Sequence, residues 1–200
     1  MIVIKQGKEK NLLRHHPWVF SGAIEESSIP EKAGVEKVVT YENHFIAWGH
    51  YDSESHIQLR LLSWDEDAYP DDSWWENTIK ASVLRRKAFF VDKDSNTNVF
   101  RIIHGEADML AGIACDVYGR IIRIIISARL AWEKRQILVN TLENLLHPEM
   151  IVLNTDSAFC SIEKLHEVTE YYKKGQKFNP TEKLEDLKIR ESGLYYDLHP

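Results

Sequence analysis

The sequence predicts an α+β protein, with a compact β-barrel-like unit first and a mixed domain of helices and strands after it. Three observations carry this. Short apolar runs separated by turn residues recur up to about residue 65, the pattern of strands in a small core. Apolar residues then repeat at helical spacing from Trp75 onward. Two strand-like runs flank Tyr118-Gly119, and a second helical pattern follows them.

The elements follow in order. Ile2 to Ile4 is a first strand, and Leu12 to His16 makes one helical turn that Pro17 ends. Trp18 and Phe20 begin a second strand before a turn at Ser21-Gly22, with Trp18 expected as a core anchor. Val35 to Tyr41 and Phe45 to Tyr51 are strands about a turn at Glu42-Asn43-His44, and Ile57 to Leu62 alternates polar and apolar residues. Trp64 to Asp72 is acidic, contains Tyr69-Pro70 and reads as a linker.

A helix follows, capped by Asp72 or Ser73, with Trp75, Ile79, Ser82, Val83, Arg86 and Phe90 on its repeat. Asp92 to Asn98 is a polar loop and Val99 to Ile103 a strand. Gly112 to Val117 and Arg120 to Ser127 form a hairpin. Leu130 to Leu146 is one helix, with Trp132, Ile137, Leu138, Leu142 and Leu145 on its apolar side and Pro148 ending it. Met150 to Leu153 is a strand. Glu163 to Lys188 is mostly polar and reads as a linker or weakly ordered insertion. Ile189 to Glu191 and Leu194 to Asp197 pair about Ser192-Gly193.

The net charge of −6 argues against general nucleic-acid binding, because phosphate neutralisation dominates that affinity. Local distribution counts for more than the sum. Lys5, Lys8, Lys10, Arg14, His15 and His16 crowd into a short stretch that only Glu9 opposes. On charge alone this is either a phosphate-binding patch or, as with most charge runs, a solvated surface. No apolar run approaches the roughly 20 residues of a membrane span, and the N-terminus lacks a signal-peptide pattern. A cytoplasmic protein without a membrane partner is expected.

Cys115 and Cys160 sit among apolar residues without a close metal-ligating partner, so both are expected as buried free thiols and no metal site is expected. His104-Gly105-Glu106-Ala107-Asp108 could be an acid–base set or a metal site, but its spacing suits a turn whose side chains bond the backbone. His44, His50 and His56 fall on different strands and turns and are unconnected. No glycine-rich phosphate loop and no nucleophile elbow is present. The residues by themselves suggest a binding or scaffold piece with no catalytic residue and no cofactor site.

The string from Lys5 to Ile24, the run from Phe45 to Arg60 and the run from Phe100 to Gly119 resemble, in this order, the ribosomal RNA large-subunit methyltransferase I-like family. Glu191 to Asp197 resembles the strand pair that leads into that family's catalytic domain. These enzymes use S-adenosylmethionine to make 5-methylcytosine in large-subunit rRNA. The resemblance implies a PUA-like RNA-binding domain over 1–66 and a strand-strand-helix-strand-strand-type central domain over 73–188. It implies that 189–200 begins a truncated methyltransferase domain, the catalytic Rossmann-like domain being absent. Lys5, Lys8, Lys10, Arg14, His15 and His16 become RNA-binding candidates, with large-subunit rRNA as partner. The family's chemistry is attack of a cysteine thiolate on cytosine, then methyl transfer to carbon 5, and neither Cys115 nor Cys160 matches that nucleophile. The complete protein is expected to use S-adenosylmethionine; this fragment alone is expected to bind none and to be inactive. Oligomeric state is open, a homodimer included. Two rivals stand: a standalone PUA-type or ribosome-associated adaptor, and a small enzyme using His104, Glu106 and Asp108.

Overall fold

The computed structural model describes residues 1–88, 96–180 and 187–198. Phe90, most of the Asp92 to Asn98 loop, the middle of the late polar stretch, His199 and Pro200 lie outside the described residues. The chain divides into two units, Met1–Trp75 with Ile162–Lys164, and Glu76–Ser161 with Leu165–Pro200.

The first unit is a five-stranded sheet. Its strands are β1 (Ile2–Val3), β2 (Trp18–Val19), β3 (Gly34–Val39), β4 (Phe45–Tyr51) and β5 (Leu59–Ser63). The order is β1-β3-β4-β5-β2, with β1 parallel to β3 and the other pairs antiparallel. Asn43 takes a positive φ of 66° in the tight turn between β3 and β4, a conformation Asn tolerates well. Ile2, Ile4, Leu12, Val19, Ile24 and Leu59 fill one core. Trp18 is a correction: it is 39% exposed, and Val19 is the residue of β2 that points inward. Successive strand residues face opposite sides, so only one of the two can be buried here.

The acidic stretch after β5 is tied down rather than loose. Trp64 donates from Nε1 to the Leu12 carbonyl at 2.8 Å, Trp48 donates to the Glu66 carbonyl at 3.0 Å, and Lys37 meets Glu66 at 2.5 Å. Helix α1 (Asp72–Arg85) starts one residue earlier than expected. Asp71 is its cap, its Oδ1 accepting the Trp74 N–H at 2.8 Å.

The second unit holds a six-stranded sheet of order β11-β10-β9-β8-β7-β6. Its strands are β6 (Val99–His104), β7 (Ile113–Tyr118), β8 (Ile121–Ile126), β9 (Met150–Thr155), β10 (Thr169–Lys173) and β11 (Gln176–Phe178). β7 and β8 pair Tyr118 with Ile121, so the hairpin loop is Gly119-Arg120 rather than Tyr118-Gly119. Gly119 supplies the positive φ of 60° that such a loop needs. β8 and β9 are parallel, joined through α2 (Arg129–Glu133) and α3 (Arg135–Leu146). The expected single helix is therefore two, broken at Lys134 with φ −91° and ψ 4°. Leu145 is exposed, and Val139 and Thr141 take the buried positions instead.

β10 and β11 correct the expectation of a polar linker. Thr169 to Phe178 reads as polar because its buried face carries a carboxylate: Glu170 is 5% exposed. It accepts from Tyr172, from Lys177 at 2.7 Å, and faces Arg135 at 3.5 Å. Burial first, then the hydrogen bond to Glu170, pushes the Tyr172 phenol up to about 12. A paired charge can sit where an apolar residue would be expected. After the short helix α4 (Ser157–Cys160), a hairpin of β12 (Leu187–Glu191) and β13 (Leu194–Leu198) turns at Ser192-Gly193. Both loop residues have positive φ, 51° and 84°, as a type I′ turn requires.

Candidate functional site

The cationic candidates lie on the connection between β1 and β2. Lys8, Lys10, Arg14, His15 and His16 are exposed, and Lys5 is half-buried. The connection is shaped by backbone bonds: Lys8 N–H to the Lys5 carbonyl at 3.0 Å, Leu13 N–H to Glu9 at 3.0 Å, His15 N–H to Leu12 at 2.9 Å and His16 N–H to Asn11 at 3.0 Å. Leu12 is buried and pegs it to the core, while His15 takes a positive φ of 66° and stacks on Trp64 with ring centroids 4.8 Å apart. A fixed loop carrying outward cations can neutralise phosphates without a large ordering cost.

The second unit holds a cavity of about 570 Å³ lined by Arg101, His104, Glu106, Ile113, Ser127 and Asp156 among others. It lies where β6 and β8 end and just past the end of β9. Arg101 grips Asp116 through two bonds of 2.8 and 2.9 Å, which raise its pKa. Its Nη1 also stands 3.3 Å from His104 Nδ1. The rim thus offers both donors and acceptors, a binding surface more than an acid–base centre.

Asp108 is not available for catalysis. It is buried and accepts from Arg85 at 2.6 Å, from Arg86 twice at 2.8 Å and from the His104 N–H at 2.7 Å. The segment Gly105–Asp108 is a 3-10 turn stapled by its own carboxylate, the structural role its spacing suggests. This removes the small-enzyme rival, since one of its three groups is consumed by packing. Cys115 is fully buried, and burial followed by the charge of Asp116 pushes its thiol well up, opposite to what a thiolate nucleophile needs. Cys160 is only half-buried, against expectation. Among the described residues no group of three or more His, Cys, Asp or Glu could hold a metal ion.

The family model described as a PUA-like domain matches residues 2–64, the five-stranded first unit. Ribosomal RNA large subunit methyltransferase I of Klebsiella pneumoniae subsp. pneumoniae is 28% identical over 145 residues, 72% of this chain and 36% of that protein. Its namesake in Escherichia coli strain SMS-3-5 is 30% identical over 154 residues, 76% of this chain and 38% of that protein. In Pseudoalteromonas atlantica the figures are 28% over 170 residues, 84% and 42%. Over 72 to 84% of its length the chain is similar to ribosomal RNA large subunit methyltransferase I proteins, and its first unit matches a PUA-like domain. It spans 36 to 42% of the length of these methyltransferase I relatives.

Two solved structures share the fold of this chain. A candidate methyltransferase complexed with SAH superposes with a TM-score of 0.75 at 15% identity, covering 98% of this chain and 47% of that one. A candidate SAM-dependent methyltransferase from Streptococcus mutans gives 0.73 at 16% identity, covering 98% and 48%. This corrects the expected fold class. An α+β pair of domains with the catalytic Rossmann-like domain absent does not stand, because 98% of the chain lies on the fold of methyltransferases. β8–β9 is the parallel pair of the six-stranded sheet, its strands joined by a helical crossover, and the other pairs are antiparallel. Sequence periodicity could not reveal it, since an apolar run looks the same whether its neighbour is parallel or antiparallel. The expectation that this chain is inactive and binds no cofactor loses its support as well, one such neighbour being complexed with SAH.

Proposed function

We propose that this chain serves an rRNA (cytosine-C5) methyltransferase that takes its methyl group from S-adenosylmethionine, and that its first unit docks large-subunit rRNA. The observation that carries the docking role is the fixed, outward connection with Lys8, Lys10, Arg14, His15 and His16 on a PUA-like unit. Lys8, Lys10 and Arg14 meet phosphates, Lys5 stands at the root of the loop, and His15 and His16 add hydrogen-bonding ring nitrogens. The names of the relatives support the rRNA substrate, and the fold neighbours support methyl transfer. A standalone adaptor is the weaker reading for the same reason.

RNA docking belongs to residues 1–66 in this reading, and a central role to 73–188. S-adenosylmethionine, when bound, supplies the methyl group that reaches carbon 5. β8 passes into α2 through Ser127 and Ala128, without the glycine-rich turn of a dinucleotide-type site. The residues of that turn do not fit the cofactor. No described helix is long and apolar enough to cross a membrane. A cytoplasmic site of action fits an rRNA substrate.

The test is binding of the chain to a structured large-subunit rRNA fragment across a range of salt. Affinity is expected to fall steeply as salt rises. Combined Lys8→Ala, Lys10→Ala and Arg14→Ala should flatten the log–log salt slope by about 2 to 3. Binding that ignores salt, or no binding at micromolar protein, would overturn the docking role.

A further inference from the structure

β2 is an end strand of the first sheet, and the pleat splits its side chains. Val19 is 2% exposed, while Trp18 is 39% and Phe20 50% exposed. Phe20 keeps extended angles of φ −88° and ψ 156°. Residues two apart on an extended chain share a face, so both rings stand on the same outer side, their Cα atoms roughly 6.7 Å apart. That spacing is about two steps of the ~3.4 Å base rise in a nucleic-acid strand.

The surface under these rings is held in place. Trp18 is registered opposite Arg60, and directly opposed strand residues share a face. Arg60 is 6% exposed and donates to Glu163 at 2.7 Å; Ser55 donates to the same carboxylate at 2.8 Å. The ion pair cancels its own charge, so the floor draws no phosphate. His16 meets Trp18 edge-on at 6.1 Å, and His56 meets Phe20 edge-on at 6.3 Å. Cations sit on the connection that leads into β2, and neutral aromatic surface sits on β2 and the residue that follows it. This division suits a strand whose bases are open: phosphates follow the cations and base faces lie on the rings. A fully paired duplex hides its base faces and can use only the cations.

We propose that Trp18 and Phe20 form a stacking platform for unpaired bases, so that the RNA taken by the first unit is single-stranded or looped at this point. The proposal rests on the RNA-docking role argued above and adds the class of RNA and the residues that select it.

The experiment is fluorescence anisotropy of the chain with a labelled single-stranded RNA of about 12 nucleotides and with the matching duplex, over a salt series. The single strand should bind more tightly. Trp18→Ala and Phe20→Ala should each weaken single-strand binding roughly tenfold, leave the salt slope unchanged and barely affect the duplex. Lys8→Ala should weaken both RNAs and lower the slope by about 0.7 to 0.9. Trp18→Phe, which keeps a ring, should recover most of the affinity, and Trp18→Leu should not. If Trp18→Ala does not fold, Phe20→Ala carries the test, because Phe20 lies outside the core. Equal losses for duplex and single strand, or no loss, would overturn the platform while leaving cationic docking intact. Self-association abolished by Phe20→Ala, with RNA binding unchanged, would overturn it in favour of a second copy covering the rings. Absence of salt-sensitive binding to either RNA would overturn both roles.

Discussion

Asp108 joins three donors in one buried place. Burial pushes its pKa up, but hydrogen bonds from Arg86, Arg85 and the His104 N–H, together with the Arg86 charge, outweigh that and hold the carboxyl at about 2 against an ordinary 3.8. A depressed carboxylate contributes stability that is present above its unfolded pKa and lost as pH falls through the folded one. The contribution is about 2 kcal/mol, complete above about pH 4 and lost toward about pH 2. Denaturant titrations of the wild type and of Asp108→Asn across that window should show the variant less stable at neutral pH and flatter with pH. Asp108→Ala should cost about 3 kcal/mol at neutral pH, since Arg86 then keeps a half-buried charge without its partner. The turn itself was legible from His104 to Asp108, because a short carboxylate near a glycine favours backbone bonding. Its arginine partners were not, since helix and turn stand more than twenty positions apart in sequence.

Elements were legible where their signals are local. The turn between β3 and β4 and the hairpin at Ser192-Gly193 follow from residues within a few positions of each other. The break at Lys134 and the strands β10 and β11 were missed, because packing and a buried paired charge override polarity there. Gly112 marks a contact between elements. With φ of 74°, a Cβ added to it would lie 2.4 Å from the Ala128 Cβ. Gly112→Ala should therefore lower stability by about 2 to 4 kcal/mol, from backbone strain and overpacking together. Adding Ala128→Gly should relieve the clash but not the strain, so thermal melting should recover only in part.

At the scale of the whole molecule, the chain returns late to complete an early unit. Ile162–Lys164 belongs with Met1–Trp75. Glu163 is 2% exposed, bonded to Arg60 and Ser55, and Lys164 pairs with Glu54. Glu163→Ala should cost about 3 to 5 kcal/mol, because Arg60 is left buried and unpaired. Arg60→Met with Glu163→Leu should cost much less than the sum of the single changes, measured by chemical denaturation as a double-mutant cycle. Nothing in the polar run after Cys160 announced this. A glutamate that will be buried carries the same letter as one that stays in water.

The sequence by itself determined the order and type of most elements, the cationic connection, and the resemblance to the methyltransferase I-like family. These depend on local pattern, and local pattern is what periodicity, turn residues and motifs record. Only the tertiary structure decided that β1 joins β3 and β8 joins β9 in parallel, that Trp18 faces outward while Val19 fills the core, and that Asp108 and Glu163 find their arginines. Those pairings follow from which surfaces meet after the chain has folded back on itself. Their free energy comes from desolvating groups far apart in sequence, for which a linear pattern carries no distance.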